Sequence, residues 1–287
     1  MNNLKHLLQF FFIIFLFCIY KILGLRFSTI LSGFIFKFIG PLFRSKKIII
    51  SNLTKAFPKS SFHQKEMILK KMWVNYGKIF AEYVFIKNFR KEKNNSNTII
   101  VENQNLLEQI KNDSKPVIFI SGHFNNFELM AMHIEKSGID LAAIYRPLNN
   151  RFLNPIMENI RKKYICKKQI KKGKAGTKEL LKNFKKGTSI ALMIDQRVSE
   201  GLKCQFFGQN ASTTTIPAQF VKKFKVNIVP IYIERIKDNN FKLKIHEVLK
   251  FEKDESLESI TLKLNQTLEN MILKNPDQWI WSHNRWK

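Results

Sequence analysis

The sequence predicts an α/β fold, a mostly parallel sheet flanked by helices, preceded by an N-terminal membrane helix. Short apolar runs at 117–120, 190–194 and 228–233 have the length and composition of buried strands. Segments of helical periodicity separate such runs, and strands alternating with helices make a parallel sheet. Residues 7–25 are almost wholly apolar. At 287 residues and 45% hydrophobic, the chain can bury one substantial core and carry a small appendage. We divide it into a membrane anchor at 1–26, interfacial and accessory helices at 27–98, and an α/β core at 99–287.

In the anchor, 7–20 is apolar apart from Gln9, and Lys21 interrupts a continuation to Leu25. With Lys21 snorkelling, the stretch approaches the roughly 20 residues that cross a bilayer. A signal peptide competes, because Lys5 precedes the apolar core, but no small-x-small cleavage site follows. An uncleaved single-pass anchor is the expectation. Arg26, Lys37, Arg44, Lys46 and Lys47 all lie on its carboxyl side, which places the main body in the cytoplasm. Phe27, Ile30, Leu31, Phe34, Ile35, Phe38 and Ile39 then recur at steps of three and four. They form one apolar helical face ending near Gly40 and Pro41, either a core helix or an interfacial one.

NLTKAFP at 52–58 reads as a turn-bounded link, 63–87 as a long aromatic-rich helix and 88–98 as a polar surface loop. The core follows, with strands at 117–120 and 141–145 enclosing a helix at 127–136. Helices at 154–163 and 177–184 precede a strand at 190–194. A helix at 216–225, strands at 228–233 and 241–245, and a helix at 257–273 complete it.

Three strand ends carry polar groups toward one crevice, the place where open α/β sheets bind ligands. The first is SGHFNNFEL at 121–129. On one continuous helix, His123 and Glu128 would lie about 140° apart. If the helix starts near Asn125, His123 sits in the turn and Glu128 in the first helical turn, where the two can converge. A histidine beside a carboxylate is a general base with an orienting partner. The plainer reading is a capping box, Asn125-x-x-Glu128, with Glu128 satisfying backbone donors. The second strand end gives Tyr145-Arg146-Pro147, with Arg161 on the next helix, and the third gives Asp195-Gln196-Arg197. Arg146 or Arg161 could clamp a phosphate or stabilise an oxyanion, and Asp195 could bind substrate or hold one of those arginines.

Other patterns narrow the chemistry. There is no G-x-S-x-G nucleophile elbow, no dinucleotide fingerprint and no phosphate loop of the required spacing. Cys18, Cys166 and Cys204 have no metal-ligand spacing, and a reducing compartment is the default. The 49 Lys+Arg against 22 Asp+Glu give +27, which points to anionic partners. The lysine-dense run at 161–186 reads either as a solvated surface or as a dock for lipid phosphates or an acidic carrier protein. No nucleic-acid reader motif is present.

These motifs, in order, resemble one family over most of the chain. An apolar N-terminus is followed by NLTKAFP, SGHFNNFEL, YRPLNN with Arg161 downstream, MIDQ at 193–196, FFG at 206–208 and PDQWIWSHNRWK at 276–287. The sequence is similar to the late acyltransferases of lipid A biosynthesis, of the lauroyl/myristoyl type. The histidine followed after four residues by an acid is shared with glycerolipid acyltransferases. Phe127 stands where tryptophan is common, and Trp286 where phenylalanine is frequent.

The resemblance implies a glycerolipid-acyltransferase-like core at the bacterial inner membrane, an acyl carrier protein as donor and an anionic, Kdo-bearing lipid A precursor as acceptor. It implies that His123, oriented by Glu128, takes the proton of a 3-hydroxyacyl hydroxyl, and that Arg161 and Asp195 are the family's important arginine and aspartate. It implies no metal and no cofactor. A lysophospholipid or another glycolipid is the alternative acceptor, and a membrane-anchored basic binding protein the alternative function. The tail tryptophans Trp279, Trp281 and Trp286 are assigned no chemistry.

Overall fold

In the computed structural model, which describes residues 2–91 and 98–287, the apolar runs form the middle of the sheet. The chain opens with α1 (Asn2–Phe43), α2 (Lys46–Ala56), α3 (Phe62–Glu82), a 3-10 turn at Tyr83–Phe85 and α4 (Ile86–Lys91). Next come β1 (Ile99–Glu102), α5 (Gln104–Asp113), β2 (Ile118–Ser121), α6 (Glu128–Lys136), β3 (Leu141–Tyr145) and α7 (Leu153–Tyr164). Then follow β4 (Lys168–Lys171), α8 (Lys174–Lys185), β5 (Ser189–Met193) and a hairpin of β6 (Leu202–Phe206) and β7 (Gln209–Thr213). The chain closes with α9 (Ile216–Phe224), β8 (Ile228–Lys237), β9 (Asn240–Ile245) and α10 (Leu257–Lys274).

The large sheet runs in the order β1-β9-β8-β2-β5-β3-β4. Every neighbouring pair is parallel except β8 with β9. Each residue of β2 is buried, as a strand covered by helices on both faces requires. β2 lies between β8 and β5, and its last residue, Ser121, is in register with Met193, the last of β5. The chain therefore leaves the sheet side by side after these two strands, and that adjacency builds the site.

Several elements differ from the sequence expectation. Asn52 belongs to α2 rather than to a link, and its buried amide donates to the carbonyls of Trp281 (2.9 Å) and His283 (2.7 Å). The tail supplies the partners that make a buried asparagine tolerable. Of the loop expected at 88–98, α4 takes the first part, and residues 92–97 lie outside the described residues. β4 lies inside the lysine-rich run. As an edge strand with one buried residue, Ile170, it has no apolar signature.

Gly24, at φ 73° and ψ 167°, breaks α1 into two helical stretches. The second turns its apolar residues Phe27, Ile30, Phe34 and Phe38 outward. Its buried side is Ser28, Thr29, Ser32 and Gly33, so the apolar face is not a core face. Ser32 Oγ donates to the Gly77 carbonyl on α3 (2.6 Å), and a Cβ on Gly77 would stand 2.2 Å from the Ser32 carbonyl oxygen. Small residues let the two helices approach this closely.

Candidate active site

The turn after β2 is set by Asn125, whose φ of 42° is left-handed, a region that asparagine tolerates better than most residues. This postpones α6 to Glu128, later than a start near Asn125. The capping box does not form. Asn125 Oδ1 accepts from the Asn126 amide (2.8 Å) and from Arg235 Nη2 (3.0 Å). The Glu128 carboxylate turns to Arg161, accepting from Nε at 2.8 Å and Nη2 at 2.7 Å, and from the Tyr83 hydroxyl.

His123 is oriented by Asp195. The expected orienter, Glu128, is committed to Arg161 instead, and the aspartate expected to bind substrate or hold an arginine holds the histidine. Asp195 follows β5, in the position beside the exit from β2. Its Oδ1 faces His123 Nδ1 at 2.8 Å, and its Oδ2 accepts from the His123 backbone amide (2.7 Å) and Trp279 Nε1 (2.8 Å). An ionised carboxylate only accepts, so this network assigns the ring proton to Nδ1. Nε2 then carries the lone pair, with the Gln196 side-chain nitrogen at 3.5 Å. The Asp195 side chain is fully buried, whereas the His123 side chain keeps 21% of its surface exposed.

The charges reinforce this arrangement. Burial pushes the Asp195 carboxyl upward, but the charge and hydrogen bonds of His123, with the Trp279 bond, bring it down to about 2. For His123 burial disfavours the cation, yet the Asp195 carboxylate and the nearby charge of Glu128 outweigh it, and the imidazole is raised above its ordinary value. The site thus holds an anionic aspartate and a histidine readier than usual to accept a proton. Lys172, in the basic run, acts on His123 in the opposite sense, so that run reaches the site's electrostatics.

A second buried network holds the turn. Glu82, at the end of α3, pairs with Arg235 at 2.5 Å and accepts from Asn126 Nδ2 at 2.9 Å. The Gln278 carbonyl accepts from the Asn125 amide at 2.8 Å, and Phe124 bridges to Trp279. Sequence reading overlooked Glu82, Tyr83 and Arg235 and assigned Trp279 no chemistry, because their partners are distant in the chain. The available signal was a carboxylate at the end of an otherwise aromatic-rich helix. Of the expected site residues, His123 pairs with Asp195, and Glu128 pairs with Arg161. Arg146 is exposed in the loop after β3 and makes none of their bonds. Among the described residues, no group of three or more His, Cys, Asp or Glu side chains could hold a metal ion.

A histidine with the lone pair on its outer nitrogen, backed by a buried carboxylate at the carboxyl ends of two parallel strands, can deprotonate a hydroxyl. Ser121 does not supply that hydroxyl, since its Oγ donates to the Ile231 carbonyl at 2.6 Å. A model of the bacterial lipid A biosynthesis acyltransferase family matches residues 1–287. The chain belongs to that family. It is 20% identical over 238 residues to lipid A biosynthesis acyltransferase 2 of Shigella flexneri, covering 80% of this chain and 74% of the relative. The crystal structure of the 1-acyl-sn-glycerophosphate acyltransferase PlsC from Thermotoga maritima aligns with 87% of this chain and 98% of its own, at 15% identity and a TM-score of 0.41. Family membership makes the protein an O-acyltransferase, and α1 is a candidate membrane anchor.

Proposed function

We propose that the protein transfers a fatty acyl chain from an acyl carrier protein thioester to the hydroxyl of a 3-hydroxyacyl chain on a Kdo-bearing lipid A precursor. His123 Nε2 takes the hydroxyl proton as the oxygen attacks the thioester carbonyl. The tetrahedral oxyanion collapses, the C–S bond breaks, and the carrier thiolate leaves with the proton from His123. The products are an acyloxyacyl ester and a free carrier thiol. Asp195 holds Nδ1–H and stabilises the imidazolium. Glu128 contributes negative charge nearby and holds Arg161, whose remaining guanidinium edge can meet the oxyanion or a lipid phosphate.

The observation that supports this most is the orientation of His123 by a buried carboxylate, with Nε2 left as the acceptor, 3.5 Å from the Gln196 side-chain nitrogen. The exposed lysines Lys162, Lys163, Lys167, Lys171, Lys172 and Lys174 suit an acidic carrier protein and an anionic lipid. The cations that follow the apolar helix suit the anionic cytoplasmic leaflet of the inner membrane, which favours that side for the body.

The test is acyl transfer in membranes containing the protein, read by mass spectrometry, with carrier thioesters of several chain lengths. Gain of one acyl chain on the Kdo-bearing tetraacylated precursor is the expected result. Gain only on a lysophospholipid would keep the chemistry and replace the acceptor. Transfer to neither would reject the proposed substrates.

A further inference from the structure

We propose that α1 lies in a single leaflet of the membrane along its whole length and does not cross it, so that the N-terminus and the catalytic body share one side. Both ends of the helix touch the same body. Near the start, Asn150 Nδ2 donates to the His6 carbonyl (2.7 Å), Arg151 Nη1 approaches Asn3 Oδ1 (3.4 Å), and Phe10 packs on Phe152 with ring centroids 6.1 Å apart. In the middle, Phe17 and Tyr20 meet Phe80 at 5.2 and 6.3 Å. Farther on, Ser32 bonds to Gly77, and Gly40 closes on the Trp73 ring.

A crossing helix cannot keep these contacts. The stretch before Gly24 is about 33 Å long, comparable to the roughly 30 Å of a hydrocarbon core. Were it upright, Asn3 and His6 would stand at the far surface. Asn150 and Arg151, which touch them, would have to follow through the bilayer with the rest of their loop. Polar loop backbone and an arginine do not enter the hydrocarbon in that way. Lying along the leaflet, the helix keeps every contact.

The outward surface fits the lipid. Leu8, Phe12, Phe15, Phe27, Phe34 and Phe38 are exposed, and only 6% of the helix's most apolar window is buried. Its exposed lysines and arginines, Lys5, Lys21, Arg26 and Lys37, can snorkel to anionic headgroups. The inward surface is Ser28, Ser32 and Gly33 set against Gly77, small residues of the kind that pack helices in lipid. The loop that α1 touches leads directly into α7, which carries Arg161, so the leaflet-bound helix buttresses the segment that positions the ion pair with Glu128.

This proposal rests on membrane attachment but not on the acyl-transfer reading, and its test measures topology rather than turnover. Full-length Asn3→Cys in a Cys18→Ala background is probed with a membrane-impermeant maleimide. A second variant, Lys250→Cys, marks the body. In sealed inverted inner-membrane vesicles both positions should be labelled, and in intact spheroplasts neither. A short bismaleimide should also join Asn3→Cys to Arg151→Cys in membranes. Labelling of position 3 from the spheroplast exterior, with position 250 labelled only in inverted vesicles, would establish a crossing and overturn the proposal. Failure of position 3 to react from either side would place it in hydrocarbon, and recovery of the protein in the soluble fraction would remove the membrane. Each of these results also overturns the proposal, whatever the acyl-transfer assay reads.

Discussion

Replacing Asp195 by asparagine changes one atom, and the structure sets what that atom does. Two N–H groups, from the His123 backbone and Trp279, converge on Oδ2. In Asp195→Asn they hold the amide oxygen at that position, so the amide NH2 faces His123 Nδ1. The ring must then accept at Nδ1 and carry its proton on Nε2, the tautomer that cannot act as a base. Turning the amide over restores the tautomer but points an NH2 at two buried donors. Each hydrogen bond lost there costs about 1–3 kcal/mol, so the competent arrangement lies about 2–6 kcal/mol higher. At 1.36 kcal/mol per decade, kcat should fall between about 30-fold and 25,000-fold. The upper end is comparable with the effect of the same replacement in serine-protease triads. The assay is turnover of carrier thioester by purified protein, with circular dichroism to verify folding. A folded Asp195→Asn protein within about threefold of wild-type kcat would refute the reasoning.

Three further outcomes follow from the same geometry. Because the base form of His123 is required and its pKa is raised, kcat/KM should fall about tenfold per pH unit below an inflection above the ordinary imidazole value of 6.5. That inflection should move lower in Asp195→Asn, and a profile flat through this region would contradict it. Arg161→Met leaves Glu128 buried without its cation, which should cost about 3–5 kcal/mol and lower Tm on the order of 10 °C in a thermal melt; an unchanged Tm would disprove this. Trp279→Phe keeps the ring but removes one donor from Asp195. A charged hydrogen bond is worth about 1.5–3 kcal/mol, so kcat should drop roughly tenfold or more, with unchanged kcat counting against any role for the indole.

The centre of the sheet was legible because 117–120, 190–194 and 228–233 are apolar without interruption, as strands covered on both faces must be. The residues at the strand ends were legible for the same reason, since polarity returns abruptly at His123 and Asp195. Their pairing was not legible, because β5 reaches the side of β2 only after β3 and β4 have been laid down beyond it. Glu128 looked like the partner of His123 because it is near in sequence. The left-handed Asn125 and the arrival of Arg161 from α7 redirected it. Trp279 carried no signal of its role, because the tail reaches the site by pairing with Phe124. The face of α1 was legible only in part. Its apolar residues left a core helix and an interfacial helix both open, and they are turned outward because small residues form the packed side.

The central claim is that His123 removes the proton from the attacking hydroxyl. Its most direct test is single-turnover transfer to the lipid A precursor by wild-type protein and by His123→Ala, with folding confirmed by an equal Tm. The account expects His123→Ala to be slower by about 100- to 10,000-fold, the contribution of a positioned general base. Transfer by folded His123→Ala at close to the wild-type rate would contradict it.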